Sequence, residues 1–98
     1  MAYVELGKFR LQAGVSNEAL FDAERAIRNG RIQQQPGYLG RELGHNGNGE
    51  WLILIRWESQ AAGEAWSPIF MQDPSAQAFI RVIDMSTMRQ EHYTIDAL

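Results

Sequence analysis

The sequence predicts an α+β chain in the order β-α-β-β-α-β, with its four strands in one antiparallel sheet and the helices on one face. Three observations predict this. Apolar residues alternate between a strand period of two and a helical period along the chain. The run HNGNGE at 45–50 places two Asn-Gly pairs, the strongest short hairpin signal, between two strand-like runs. Ser16 and Ser59 each stand ahead of a helical stripe, where a hydroxyl can accept from an unpaired first-turn amide.

Residues 3–13 read as the first strand, with Val4 and Leu6 on one face and Phe9 and Leu11 on the other. Gly14-Val15-Ser16 ends it. The first helix follows, with Glu18 at the positive end of its dipole and Leu20, Ala23 and Ile27 at helical spacing. Asn29-Gly30 ends or weakens this helix, and Pro36-Gly37 stops any continuation. Residues 38–43 read as the second strand, and 51–58 as the third, antiparallel to it. The second helix begins at Ser59, with Ala62, Ala65, Trp66 and Ile69 on its inner stripe and Pro68 as an interruption. Asp73-Pro74 marks either a turn or the start of a further short helix through Phe79, Val82 and Ile83. Residues 85–95 read as a last strand, polar enough for an edge or a pocket wall. This is the ferredoxin-like, or split βαβ, arrangement.

At 98 residues the chain is expected to form a single domain over 1–98. A formal charge of −3 provides no basic footprint, so nucleic acid is not an expected partner. No stretch approaches the roughly 18–20 apolar residues of a membrane span, and MAYVELGKF has no secretion-signal pattern. Cysteine is absent, which removes disulfides and thiol chemistry. A cytoplasmic location fits this composition, as export does.

The third strand carries a further expectation. A sheet with one wet face alternates, but WLILI at 51–55 does not. Trp51, Ile53, Ile55 and Trp57 share one face, and Leu52, Leu54 and Arg56 share the other, to which Val4 and Leu6 add. Little chain is left to cover that second face, and a soluble monomer rarely exposes so large a patch. A homodimer closing sheet face against sheet face is expected.

With QQPGYLG at 34–40, the hairpin after it, and ILIRWES at 53–59 running into the second helix, the chain resembles antibiotic-biosynthesis-monooxygenase-like members of the dimeric α+β barrel superfamily. The resemblance implies two sheets paired in a barrel-like dimer, with a pocket between helices and sheet in each subunit. It also implies a cofactor-independent monooxygenase acting on a small aromatic or polyketide-like molecule, with no cofactor expected. The substrate then supplies its own electrons, and the protein excludes water, orients the substrate and helps remove a proton. The alternative is a non-catalytic dimer of the same fold that binds or senses a small molecule. A purely structural dimerisation unit is a third reading, in which Trp66 and Phe70 fill the pocket.

Trp57 and Trp66 are spaced as in the haem-degrading branch of this family, where the second Trp lines the pocket. That branch uses an Asn where this chain has Gly7 and a His where it has Ala76, so haem degradation is disfavoured. Trp66, Phe70, His92 and Tyr93 are the pocket candidates, with Trp66 either a core anchor or a ligand-stacking surface. Gly7 marks a bulge or a cavity floor. His92 is the candidate base, facing the pocket with Gln90 or opposing Arg56, and otherwise a solvated histidine. Arg56 interrupts an apolar strand and needs a partner. It forms either a structural ion pair with Glu5, Glu42 or Glu91 or an anchor for an anionic substrate group, and Arg41 with Glu42 allows the same choice. Two isolated histidines without ligand spacing indicate no metal site. NGNG is a hairpin turn, not a phosphate-binding loop.

Overall fold

The computed structural model describes residues Met1–Leu98. Strand β1 (Ala2–Leu11) leads into helix α1 (Asn17–Arg28) and a 3-10 turn at Arg31–Gln34. The hairpin β2 (Tyr38–His45) and β3 (Trp51–Trp57) follows, then helices α2 (Gln60–Met71) and α3 (Pro74–Val82), and finally β4 (Ile83–Ile95). The sheet is antiparallel in the order β2-β3-β1-β4. This is the ferredoxin-like arrangement, with α3 as an addition to the basic repeat. No helix is long and apolar enough to cross a membrane.

The local signals act as short-range chemistry predicts. The hydroxyl of Ser16 accepts from the Ala19 amide, and that of Ser59 from the Ala62 amide, each at 3.2 Å. Of the two readings of Asp73-Pro74, the helix holds. Asp73 Oδ1 accepts from the Ser75 amide at 2.9 Å, and Pro74 starts the helix, where its missing N–H costs nothing. In the hairpin, Gly47 and Gly49 take φ of 80° and 83°, the left-handed region in which only glycine is unstrained. Gly37 combines a φ of 82° with close packing, since a Cβ there would lie 2.7 Å from the Ala62 Cβ. That contact sets how α2 leaves the sheet.

One face of the sheet carries the helices. Trp57, Phe9, Leu20, Ile27, Ile32 and Ile83 are its largest fully buried side chains. On α2 the inner positions are Gly63 and Trp66, while Ala65, expected on the inner stripe, is exposed. The reason is steric. A Cβ at position 63 would come within 2.9 Å of the Tyr3 ring and of Glu5 Oε1. The helix therefore turns its glycine to β1 and sits close to the sheet. The opposite face carries Val4, Leu6, Leu52 and Leu54, with Arg56 paired in register to Val4. No helix covers it.

Candidate functional site

Strand register assembles the site. Arg41 on β2 lies opposite Ile55 on β3, Ile55 opposite Glu5 on β1, and Glu5 opposite His92 on β4. Residues in register project to the same face. These four therefore form one transverse row across the whole sheet, on the helix-covered side. All four line a cavity of about 190 Å3 that is partly open to solvent. Trp66 and Phe70 from α2, Phe79 and Ile80 from α3, and Ile53 and Ile83 from the sheet complete a mostly apolar wall. Gly7 forms part of the floor, where a Cβ would meet only the Met88 sulfur at 3.6 Å. A glycine here leaves cavity space without being sterically required. The bulge that it signals falls next to it, between Lys8 and Arg10.

The row runs from an exposed end to a buried one. His92 is exposed at the rim on the edge strand β4, and its ring stacks on Tyr3 at 5.9 Å with an interplanar angle of 12°. Glu5, half-way in, has a carboxyl oxygen, Oε1, enclosed without a hydrogen-bond partner, and the neighbouring Trp57 Nε1 is likewise enclosed and unbonded. Burial pushes the Glu5 carboxyl above its ordinary pKa. His92, the Trp57 indole and Arg41 act in the opposite direction, and Glu64 on α2 adds to the rise. The proximity of the Trp57 N–H thus favours the carboxylate electrostatically, although the geometry falls short of a hydrogen bond.

Arg41 is the buried end. Its Nε donates to Glu24 Oε1 and Oε2 at 3.1 and 2.9 Å, and its Nη2 to Glu24 Oε1 at 3.0 Å. Arg28 adds a 3.4 Å contact to the same carboxylate. Both partners of the Arg41–Glu24 pair are almost fully enclosed, with side chains 3% and 4% exposed. The guanidinium also lies 5.4 Å from the centre of the Phe79 ring. Arg41 makes an ion pair, with a partner on α1 that strand pairing could not indicate.

Of the residues singled out in the sequence, Trp66, Phe70, Gly7 and His92 meet at the cavity. Trp66 is 4% exposed and its ring lies 5.7 Å from that of Phe70, one turn on along α2. Two candidates do not belong to this site. Arg56 and Tyr93 lie on the opposite face, because Arg56 pairs with Val4, Val4 pairs with Tyr93, and the cavity residues occupy the alternate positions. Arg56 is exposed there without an ion-pair partner, and Tyr93 donates its hydroxyl to Glu91 Oε2 at 2.6 Å. Glu5 was missed as a site residue. The alternation Glu5-Gly7-Phe9 already set a carboxylate on the apolar face and was the signal available.

No group of three or more His, Cys, Asp or Glu side chains gathers where it could hold a metal ion. The profile of the family described as antibiotic biosynthesis monooxygenase matches residues 2–82. No curated protein matches the chain in sequence. Among solved structures, the chain is similar to SnoaB from Streptomyces nogalater, described as a cofactor-independent oxygenase. The TM-score is 0.74 at 16% identity, over 99% of this chain and 95% of that one. It is also similar to a dimeric ferredoxin-like protein of unknown function from Jannaschia sp. CCS1, with a TM-score of 0.72 at 14% identity, over 97% of this chain and 100% of that one. At these identities the likeness concerns the fold.

Proposed function

The chain belongs to the antibiotic biosynthesis monooxygenase family, and on that footing we propose that it oxygenates a small aromatic molecule in the cavity without a cofactor. In this reading residues 1–98 act as a single domain. The observation that carries it is the cavity, whose apolar walls of Trp66, Phe70, Phe79 and Ile55 enclose a few polar groups on one row. That composition is typical of a ligand site. Trp66 and Phe70 leave the space open, which argues against a purely structural unit. A volume of about 190 Å3 suits one aromatic ring better than a fused polyketide skeleton. Gly7 and Ala76 offer neither amide nor imidazole, so haem chemistry is no part of the reading.

For a phenol the reaction balances as phenol plus O2 giving quinone plus water. One oxygen atom bonds to ring carbon, the other leaves as water, and the substrate supplies all four electrons. The chain's own tasks are to exclude water, to hold the ring against Trp66 and Phe70, and to take up the hydroxyl proton. His92 at the rim, the base candidate of the sequence, is within reach of both cavity and solvent and carries the proton out of the site. The fold of SnoaB, described as a cofactor-independent oxygenase, supports this reaction class.

The functional unit in this reading is a homodimer closed through Val4, Leu6, Leu52 and Leu54, as the dimeric Jannaschia relative suggests. The absence of cysteine suits a cytoplasmic location.

Oxygen uptake with a panel of one-ring phenols and quinols tests the proposal, with 18O2 used to follow the label into product. Consumption with one labelled atom per product supports it. Saturable binding without oxygen consumption supports the second reading, a small-molecule binder. One observation favours that reading: His92 makes no hydrogen bond within the chain that would orient it as a base.

A further inference from the structure

The buried end of the row carries an inference that rests on the reading above and deepens it. Arg41 uses Nε and Nη2 on Glu24, and Nη1 has no partner in the protein. Nη1 is also not among the enclosed, unbonded polar atoms, which are Glu5 Oε1 and Trp57 Nε1. A guanidinium held by a carboxylate on one edge, by an aromatic ring on its face, and unbonded at its remaining nitrogen is rigid before any ligand arrives. Arg41 is part of the cavity wall. Ile55 separates it from Glu5 in the row, so an apolar strip one residue wide lies between a cation and a carboxyl.

We propose that the cavity selects one-ring aromatic compounds with an acidic hydroxyl and holds them as anions, with Arg41 facing the negative charge and Glu5 receiving the proton. The O–H bond of the ligand breaks, its electron pair stays on the ligand and delocalises into the ring, and the proton bonds to Glu5. The ring lies over Ile55, against Trp66 and Phe70. His92, opposite Glu5 at the rim, passes the proton to solvent. The charged and titratable groups around Glu5 are His92 on β4, Arg41 on β2, Glu64 on α2 and Tyr3 on its own strand, beside the Trp57 indole of β3. Its burial-raised affinity for protons suits an acceptor. Arg41 binds in the same way whether or not oxygen reacts, so the inference stands for either reading of the site.

Two probes of nearly the same shape provide the test: 4-nitrophenol, which ionises, and nitrobenzene, which does not. Equilibrium dialysis of the wild-type protein is expected to give about tenfold or more tighter binding of 4-nitrophenol, as for one charge-assisted hydrogen bond. The bound probe is expected to show the phenolate absorption band at a pH where the free probe is mostly neutral. Glu24→Gln combined with Arg41→Met removes the ion pair as a unit, so no charge is left buried alone. Circular dichroism checks its fold, and its preference between the probes is expected to vanish. Equal affinity of the wild type for both probes, or neutral bound 4-nitrophenol, overturns the inference without need of the variant. So does a preference that persists in a folded double variant. If neither probe binds, the aromatic-ligand reading of the cavity falls, and this inference with it.

Discussion

Glu5 and His92 face each other across strands β1 and β4, on the side of the sheet that carries the cavity. One is partly enclosed by Tyr3, Gly63 and Trp57. The other stands at the rim. Two titratable groups in such different surroundings are disposed to hand a proton from the interior to solvent.

His92 is one of the groups that lower the Glu5 pKa against the effect of burial. Replacing it by glutamine in His92→Gln is expected to move the Glu5 titration midpoint further up, as read from the side-chain carboxyl 13C resonance. An unchanged midpoint would mean that the two side chains do not interact.

Stability should also report Glu5. Burial raises its folded pKa above the unfolded value. Between those two values the native chain binds more protons than the unfolded one, so stability falls as pH rises through that window. Glu5→Gln removes this loss. The variant is expected to be more stable than the wild type above the raised midpoint, because the amide carries no charge to desolvate, and the half-buried position of Glu5 keeps the gain small through solvent screening. The advantage shrinks as pH falls through that window and is gone below the ordinary carboxylate range. Thermal melts from pH 4 to 8 decide it.

Gly63→Ala sets two effects against each other. Alanine favours the helix by about 1 kcal/mol. The new methyl, however, lies 2.9 Å from the buried Tyr3 ring and from Glu5 Oε1, and overpacking costs about 1–3 kcal/mol. A net drop in Tm is expected. A stabilised variant would show that α2 can lift from β1 without cost.

Leu54→Glu probes the uncovered face. Leu54 pairs with Leu6 in register on that face. Burying a leucine is worth roughly 1.5–3 kcal/mol, and a symmetric interface counts the loss in both copies. Sedimentation velocity is expected to show a dimer for the wild type and a monomer for the variant. A wild type that sediments as a monomer at micromolar concentration removes the dimer from the reading.

The two faces also separate the ligand phenotypes. Arg56→Ala and Tyr93→Phe lie opposite the cavity and are expected to leave ligand affinity within about 0.5 kcal/mol of wild type. Trp66→Ala removes a wall and a core anchor together. It is expected to cost about 3–5 kcal/mol in stability, and ligand binding is lost with the wall. Isothermal titration with 4-nitrophenol compares the three.

Much of this was legible in the residues because it depends on near neighbours. Ser16 and Ser59 cap helices through amides three positions on. The Asn-Gly pairs turn a hairpin within six residues, and WLILI announces a strand with two apolar faces. Gly7, Trp66, Phe70 and His92 were within reach because helical and strand periods place them on inward faces. Arg56 and Tyr93 were misplaced because periodicity identifies which residues share a face, not which face lies under the helices. Glu5 was legible in principle, since it shares a face with Phe9, but its charge drew it toward the far side of the strand.

By itself the sequence determined the β-α-β-β-α-β order, where α1 and α2 start, and the two-sided character of β3, since caps, turns and alternation are settled by bonds and sterics between residues close in the chain. Only the tertiary structure decided that Arg41, Ile55, Glu5 and His92 form one row, that Glu24 from α1 clamps Arg41, and that Trp66 and Phe70 leave a cavity above them. Those relations depend on the register of separate strands and on how closely α2 sits over Gly63. Both are fixed by the packing of distant segments, each of which satisfies its own local rules in more than one arrangement.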